Sequence, residues 1–355
     1  MKVPFRAYVL VISLAELWRW GLERRAAPKF KSCAQNEPRL LGGGGEPQFQ
    51  LSNRQSRHAF LNGLLPRAAL ATQYFANAHP SLPNYFMLTT GQPIMLDDSF
   101  SGPVSQDNIV RELIAAGKSW KSYAEGLPSV GYTGPDVAEY VRRHNPFAYF
   151  FDVQNDSAQS ANLIPFSQFS ADLANDHVPD YAFIVPDLQN DAHDCPAGQA
   201  NCTDGQKLAA ADNWLKKNIG PVLNSPAFTQ AGLLIILFDE SSGNDIANGG
   251  GHVPMLILSP KAKAGFQSST LYQHQSTLRL TLEALGMQNL PGLAAIAPEM
   301  GEFSNKIYTA TVTEVSVRVT GRYSVSLSIG SRPASRIRRM RSSRRMPCGV
   351  VAPAS

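Results

Sequence analysis

One short loop concentrates side chains that can bind a divalent cation. The segment Pro186–Cys195 reads PDLQNDAHDC and holds the carboxylates of Asp187, Asp191 and Asp194 beside the imidazole of His193. Crowded negative charges repel one another, and a bound cation relieves that repulsion. Carboxylate and imidazole are an ordinary ligand set for divalent ions. The loop therefore favours a metal site, with a solvated acidic loop as the alternative.

Two other positions could contribute to the same chemistry. Asp239 and Glu240 directly follow the apolar run Gly232–Phe238, so either could bind a metal, or one could ligate while the other caps a helix. His252 follows Gly249–Gly251, and glycines permit close approach of the backbone to a ligand. A purely structural histidine is the alternative there.

A candidate nucleophile lies in the stretch AHPSLPNY, residues 78–85. Its two prolines hold Ser81 and Asn84 in a stiff turn. A serine hydroxyl is a weak nucleophile until a base or a metal ion activates it, so a metal near Ser81 would make it reactive. The alternative is a proline-rich turn that only caps the element after it.

These residues must be positioned by an α/β fold. The unbroken apolar runs Tyr181–Val185, Gly232–Phe238 and Val253–Leu258 predict strands that are covered on both faces, as in a parallel sheet. Helical patterns lie between and around them, at 107–116, 134–143, 204–218 and 276–285. We predict a three-layer sandwich with a mostly parallel central sheet. Such sheets bind ligands at the carboxyl ends of their strands, where the acidic clusters fall.

Several blocks resemble one family in content and in order. They read TQYFANAHPSLPNYFMLTTGQ, SWKSYAEGLP, YVRRHNPFAYF, PDLQNDAHDC, FDES, GGGHVPMLILSPKAKAGF and YQHQSTLRLTLEALGM. From about residue 68 to 303 the chain resembles the bacterial phosphoesterase family that includes acid phosphatases and phosphatidylcholine-type phospholipases C. That family belongs to the alkaline-phosphatase-like superfamily. The resemblance implies metal-dependent hydrolysis of a small phosphate ester or a phospholipid.

The resemblance also implies a role for each candidate. Ser81 becomes the covalent nucleophile, and Asn84 a ligand of a phosphoryl oxygen. His274 would orient metal ligands from behind, and His144 would touch substrate or cap a turn. One or two divalent ions are implied, with zinc, calcium, magnesium and manganese all open. Their ligands would come from the side chains of Asp187, Asp191, His193, Asp239, Glu240 and His252.

The chain departs from the family pattern at both ends. The family opens with a strand that ends in a Glu-Asn pattern, and residues 28–62 lack it. We divide the chain into a possible export signal (1–25), a degraded or frame-shifted part (26–67), a phosphoesterase domain (68–303) and an Arg/Ser-rich tail (304–355). Two alternatives to an active enzyme follow. One is a catalytically impaired family member that lacks the first-strand ligands, and the other an exported, calcium-stabilised binding protein.

The composition limits which binding partners and which cellular compartment are expected. The apolar fraction of 43% indicates a globular protein. The net charge of +4 depends on seven arginines in 331–355, so the main domain is mildly acidic. No nucleic-acid partner is therefore expected for the main domain. Ala7–Ala15 has the length of a signal-peptide core and is too short to span a bilayer. Cys195 and Cys202 flank a loop that a disulfide could close. We therefore predict a secreted or periplasmic protein, with a cytosolic protein as the alternative.

Overall fold

The computed structural model describes residues 58–304 with their side chains. It also gives the backbone of three further stretches, Val9–Leu14, Glu314–Val319 and Val325–Gly330. The chain divides into two compact units, residues 1–308 and 309–355. Within the described residues, the first unit contains one eight-stranded sheet with helices, and the second contains a two-stranded antiparallel sheet.

The elements of the first unit alternate between strands and helices. Its strands are β1 (Val9–Leu14), β2 (Ala69–Phe75), β3 (Trp120–Ala124), β4 (Leu163–Pro165), β5 (Tyr181–Val185), β6 (Leu233–Phe238), β7 (Met255–Leu258) and β8 (Gln267–Gln273). Its α-helices are α1 (Ala59–Leu64), α2 (Ser81–Thr90), α3 (Ile109–Ala115), α4 (Phe151–Gln154), α5 (Ser157–Ser160), α6 (Phe169–Ala174), α7 (Asp204–Asn218), α8 (Pro226–Ala231) and α9 (His274–Ala284). The second unit contributes β9 (Glu314–Val319) and β10 (Val325–Gly330).

The central sheet is mostly parallel, as predicted. Its strand order is β4-β3-β5-β1-β6-β7-β2-β8. Only β7 runs against its neighbours, and every other pair of adjacent strands in the described sheet is parallel. All residues of β5, β6 and β7 are buried, so both faces of the sheet are covered at its centre, which a three-layer arrangement requires. The carboxyl ends of β2, β5 and β6 therefore meet at one edge.

The first strand comes from an unexpected segment. β1 lies between β5 and β6, and its residues Val9–Leu14 pair in register with Leu233–Phe238. The sequence pattern placed these residues in a possible export signal and sought the opening strand within 28–62. A short apolar run suits a buried strand as well as a signal core, so pattern alone cannot separate the two. Residues 28–57 lie outside the described part of the chain, and export remains a prediction.

Three of the four predicted helices are confirmed, and one is wrong. α3, α7 and α9 lie where the periodic patterns at 107–116, 204–218 and 276–285 placed them. The stretch 134–143 instead forms a tight turn that is closed by a bridge between Val137 and Tyr140, before a short 3₁₀ helix at Arg142–His144. Asp136 explains the difference, because its carboxylate accepts the N–H of Arg142 at 2.8 Å and so competes with helical hydrogen bonding. Among the described helices, none combines the length and the apolar character that a bilayer crossing needs.

Candidate active site

The Ser81 hydroxyl lies at the start of α2 and contacts a carboxylate. Ser81 is the first residue of α2 and is buried, and its Oγ donates to Oε1 of Glu240 at 2.6 Å. Glu240 follows β6 by two residues, and α2 follows β2, so both groups come from the same edge of the sheet. Two residues that the sequence placed in the site are thus joined directly. The carboxylate is positioned to accept the hydroxyl proton.

His79 completes this contact and was missed by the sequence analysis. Its Nδ1 lies within hydrogen-bond distance of Oε2 of Glu240, and its Nε2 lies 2.9 Å from the backbone carbonyl oxygen of Asp245. A carbonyl oxygen only accepts, so Nε2 carries the hydrogen and a further proton is shared between Nδ1 and Glu240. The signal was present in the sequence, since His79 stands two residues before Ser81. An imidazole two residues from a candidate nucleophile is a reasonable partner for its base.

Asn84 holds the turn that precedes the nucleophile. Its side-chain oxygen accepts the backbone N–H groups of Asn77 and Ala78 at 2.9 and 3.0 Å. Its amide nitrogen donates to the carbonyl oxygens of Ala78 and Pro80 at 2.8 and 3.3 Å. The amide's hydrogen-bonding capacity is therefore used on the backbone. In place of the implied contact with a phosphoryl oxygen, Asn84 positions the chain that leads to Ser81.

We expect Asn84→Ala to destabilise the protein by about 2–3 kcal/mol, because two half-buried N–H groups and two carbonyls lose their partner. The stability of Asn84→Asp should lie between those of Asn84→Ala and the parent, since the carboxylate still accepts the N–H groups of Asn77 and Ala78 but cannot donate. Urea unfolding of the three proteins measures the difference. Equal stability of Asn84→Ala and the parent would contradict the positioning role.

Asp239 is a fully buried carboxylate beside the Ser81 hydroxyl. It is fully buried, and neither of its side-chain oxygens has a hydrogen-bond partner within the described residues. Burial first, and then the negative charges of Glu240 and Asp191, raise the pKa of Asp239 well above its ordinary value, and the nearby Ser81 hydroxyl offsets this only in part. Three carboxylates thus crowd the position of the nucleophile. An unpartnered buried carboxylate is costly unless a proton or a cation neutralises it.

A second pair of buried groups adjoins these carboxylates. Asp191 accepts the backbone N–H of His193 at 2.8 Å, and its other oxygen lies 3.1 Å from Nδ1 of His144. Burial, followed by the charge of Arg143, lowers the pKa of His144 to about 3, so its imidazole is neutral. Nε2 of His144 is buried and has no hydrogen-bond partner among the described residues. His144 therefore belongs to the interior of the site, neither exposed to solvent nor acting as a surface turn cap.

The remainder of the acidic loop is engaged elsewhere. One oxygen of Asp187 accepts the N–H groups of Gln189 and Asn190, each at 3.1 Å, and the backbone N–H of Asp187 donates to Glu125. Burial, and then the Glu125 charge, raise the pKa of Asp187 to about 6. His193 pairs through Nδ1 with its sequence neighbour Asp194 at 2.7 Å. In the described structure, Asp187 and His193 flank the group formed by Ser81, Asp239 and Glu240 and have no hydrogen bond to any of these three residues.

His252 lies beside β2, and among the described residues no hydrogen bond joins its side chain to Asp191, Asp239 or Glu240. Its Nε2 donates to the carbonyl oxygen of Thr72 at 2.9 Å, and its ring packs on Phe75 at 4.9 Å between centroids. Because a carbonyl only accepts, Nε2 carries a hydrogen, and a metal ion could be bound only through Nδ1. The glycines before His252 matter instead for close packing: a side chain on Gly249 would clash with the backbone of Asn77. The predicted ligand role of His252 is therefore not supported by its position.

His274 supports the site through the backbone of Asp239. It is fully buried, its Nε2 lies 2.6 Å from the backbone carbonyl oxygen of Asp239, and its Nδ1 lies 2.9 Å from the Tyr74 hydroxyl. Burial lowers the pKa of His274 to about 4, which keeps the ring neutral. The ring donates to the carbonyl and accepts from the hydroxyl. It thus fixes the backbone of Asp239, in keeping with the orienting role that the resemblance implies.

Among residues 58–304, the carboxylate of Asp239 offers oxygen donors for a cation. Within 58–304, no three His, Cys, Asp or Glu side chains stand close enough together to hold a metal ion by themselves. The two unpartnered oxygens of Asp239 nevertheless are hard oxygen donors of the kind that divalent ions bind. Both oxygens of Glu240 are engaged by Ser81 and His79. The donor chemistry therefore fits a cation at Asp239, with Glu240 serving the nucleophile.

A disulfide closes the loop beside His193, as the sequence predicted. Cys195 and Cys202 are bonded, with 5.6 Å between their Cα atoms. On the far side of this loop, Lys207 of α7 donates to the carbonyl oxygen of His193 at 2.7 Å. The acidic loop is thus tied at its end both covalently and through α7.

Replacing both cysteines by serine should lower the free energy of unfolding by about 2 kcal/mol, because the unfolded chain gains the freedom of an open loop. We expect the loss to be seen by urea unfolding under oxidising conditions. Adding a reductant to the parent should reproduce it and should leave the double variant unchanged. A parent protein whose stability is indifferent to the reductant would contradict this expectation.

Comparison with known proteins identifies the family to which the chain belongs. A model of the "Phosphoesterase family" matches residues 52–287. The chain is 32% identical over 227 residues to a probable acid phosphatase of Kluyveromyces lactis, covering 61% of this chain and 51% of that protein. It is 30% identical over 304 residues to a phosphatidylinositol-3-phosphatase of Mycobacterium tuberculosis, covering 82% of this chain and 90% of that protein. The chain spans about half the length of the fungal acid phosphatases that it matches.

Solved structures agree on the fold. A protein of the alkaline phosphatase superfamily from Vibrio parahaemolyticus superposes with a TM-score of 0.52 at 12% identity, covering 88% of this chain and 72% of that one. The predicted resemblance is therefore confirmed at the level of both sequence and architecture. By its family match and its fold, the chain belongs to the phosphoesterase family, with the architecture of the alkaline phosphatase superfamily.

Proposed function

We propose that the protein hydrolyses phosphate esters with Ser81 as the nucleophile. The observation that carries this proposal is the 2.6 Å hydrogen bond from the Ser81 hydroxyl to Glu240, formed in a buried site beside the unpartnered carboxylate of Asp239. A serine hydroxyl that faces a fixed carboxylate is prepared to lose its proton as it attacks. Membership of the phosphoesterase family supports phosphorus as the atom attacked.

The reaction would proceed in two displacements. Oγ of Ser81 attacks phosphorus while its proton passes to Glu240, and the ester oxygen leaves with its bonding electron pair and takes up a proton. Water then attacks the phosphoserine, the serine oxygen leaves and regains a proton, and inorganic phosphate is released. His79 holds Glu240 in place through the shared proton. A divalent ion held by Asp239 would supply positive charge to the phosphoryl oxygens.

The start of α2 supplies one further donor. The N–H of Leu82 is taken by Asp98 at 3.0 Å, and Pro83 has no N–H. The N–H of Ser81 itself has no hydrogen-bond partner in residues 58–304. At the positive end of a ten-residue helix, this group is suited to bind a phosphoryl oxygen as charge develops on it.

The relatives favour a phosphomonoester as substrate. Two kinds of relative bear names of phosphatases, acid phosphatase and phosphatidylinositol-3-phosphatase. We extend this to the present chain as a proposal, with small monoesters and phosphorylated inositol lipids as the two substrates to compare. Export, which the disulfide supports, belongs to the same proposal.

A panel of esters with and without metal tests the proposal. The protein is assayed on a chromogenic monoester, its diester analogue and a phosphorylated inositol lipid, first as purified, then after chelation, then with Mg²⁺, Ca²⁺, Mn²⁺ or Zn²⁺ restored. We expect monoester turnover that chelation abolishes and one cation restores. No turnover with any ester or ion would overturn it.

A second candidate is a catalytically impaired member of the family. It is favoured by one observation, namely that no three potential metal ligands converge among residues 58–304. Metal analysis of the purified protein separates the two: an enzyme should retain at least one ion per chain, and an impaired member should retain none that survives dialysis. A retained calcium ion without turnover would instead favour a calcium-stabilised binding protein.

A further inference from the structure

The site is crowded with negative charge and yet must accept a negative substrate. Glu240 contacts the Ser81 hydroxyl, Asp239 lies beside it and is near Asp191, and a phosphate ester brings one or two further negative charges. We propose that Arg143 binds the phosphate group of the substrate and thereby favours dianionic monoesters over monoanionic diesters. This inference rests on the proposed function, whose site it extends.

Arg143 lies one side chain away from the nucleophile. Asp98 connects them: one of its oxygens accepts the N–H of Leu82, the residue after Ser81, at 3.0 Å, and the other lies 3.5 Å from Nε of Arg143. The short helix that carries Arg143 packs against α2. Arg143 also precedes His144, the buried imidazole that contacts Asp191. The guanidinium group of Arg143 therefore lies at the edge of the site that contains Ser81 and Asp191.

The guanidinium group is only partly engaged. Nη1 donates to Asp136 at 3.1 Å, whereas the 3.5 Å separation between Nε and Asp98 is long. Nη2 has no hydrogen-bond partner among the described residues. The Arg143 side chain is 23% exposed and that of Asp136 is 51% exposed, so an incoming anion can replace Asp136. A guanidinium with two donors available matches two phosphate oxygens.

The neighbouring arginine cannot serve in this way. The guanidinium of Arg142 lies over the ring of Tyr149, 4.0 Å from its centroid, and donates to the carbonyl oxygen of Ala148 at 3.1 Å. It is committed to the protein interior. Of the two adjacent arginines, Arg143 alone faces an exposed, exchangeable partner.

The chemistry of the guanidinium predicts the substrate preference. A monoester dianion offers three unsubstituted oxygens with a net charge near −2, whereas a diester offers two with a charge of −1. The attraction to Arg143 and the number of charge-assisted hydrogen bonds are both larger for the monoester. Loss of Arg143 should therefore weaken binding of monoesters more than binding of diesters.

Calorimetric titration with inorganic phosphate tests the inference without requiring turnover. We expect Arg143→Gln to weaken phosphate binding on the order of tenfold or more, and Arg143→Lys by less, because a point charge remains. Asp136→Asn should strengthen binding about two- to fivefold, since the competing charge is gone while the amide oxygen still accepts the N–H of Arg142. Arg111→Gln is the matched control, because Arg111 forms a similar ion pair with Asp152 and has no contact with the site.

A structural role for Arg143 makes the opposite prediction for its partner. If the Arg143–Asp136 pair only held the turn together, Asp136→Asn would weaken phosphate binding as Arg143→Gln does, and that result would overturn the inference. Phosphate affinity that is unchanged in a folded Arg143→Gln protein, or absent in the parent, would also overturn it. Failure of the proposed function looks different: the parent then binds phosphate through Arg143 but hydrolyses no ester. Where turnover is present, Arg143→Gln should raise KM for the monoester more than it lowers kcat.

Discussion

Ser81→Ala should reduce phosphomonoester hydrolysis roughly a thousandfold or more, because the methyl group of alanine cannot attack phosphorus. The loss should appear in kcat, since the groups proposed to bind the phosphate remain. The same substitution removes the hydrogen bond to Glu240 and leaves one buried oxygen without a donor, which costs about 1–3 kcal/mol of stability. Folding must therefore be verified by circular dichroism and urea unfolding at the assay temperature.

Ser276→Ala is the matched control for this experiment. Ser276 is also a fully buried serine near the start of a helix, and its hydroxyl has no hydrogen-bond partner in the described structure. Removing it should leave both activity and stability close to those of the parent. Residual activity of a tenth or more in Ser81→Ala, with Ser276→Ala active, would contradict the nucleophile assignment.

Asp239→Asn should abolish most activity and yet stabilise the metal-free protein. The carboxylate is fully buried, has no hydrogen-bond partner among the described residues, and faces the charges of Glu240 and Asp191. An amide removes the buried charge, so we expect a gain of about 1–3 kcal/mol at neutral pH in the presence of chelator. Activity should fall on the order of a hundredfold, because the proposed cation loses its ligand. Urea unfolding with chelator and the ester assay with cation measure the two effects.

Asp212→Asn provides a control of opposite sign. Asp212 is a buried carboxylate as well, but its two oxygens accept the N–H groups of Phe60 and Leu61 at 2.9 and 2.8 Å. An amide there would place a donor against a donor, so the variant should lose stability while the site keeps its activity. If both substitutions destabilise the chelated protein equally, the unpartnered state of Asp239 has no energetic consequence and the metal assignment loses its support.

The sequence could predict those parts of the site that depend on which strand a residue follows. Acidic residues after β5 and β6 and the serine after β2 lie at one edge because parallel strands bring their carboxyl ends together. The bond between Ser81 and Glu240 follows from that topology, as does the proximity of Asp191 to Asp239. The strand topology alone was sufficient to predict that these groups lie close together.

The parts that could not be predicted depend on single hydrogen bonds. Asn84 and His252 had suitable residue types, but the amide of Asn84 is used by backbone groups of the turn before Ser81, and Nε2 of His252 is used by β2. The partnership of His79 with Glu240 depends on the direction of one side chain. β1 was missed for another reason, since a six-residue apolar run is compatible with both a buried strand and a signal core.

The central claim is that the hydroxyl of Ser81 takes the phosphoryl group from the substrate. The most direct measurement is rapid acid quenching during turnover of a phosphomonoester, followed by peptide mass spectrometry of the segment that contains residues 78–85. We predict a phosphoryl group on Ser81 that appears with substrate and is absent from Ser81→Ala. A phosphoryl group on another hydroxyl of the parent, or undiminished turnover in Ser81→Ala with no phosphorylated peptide, would contradict the account.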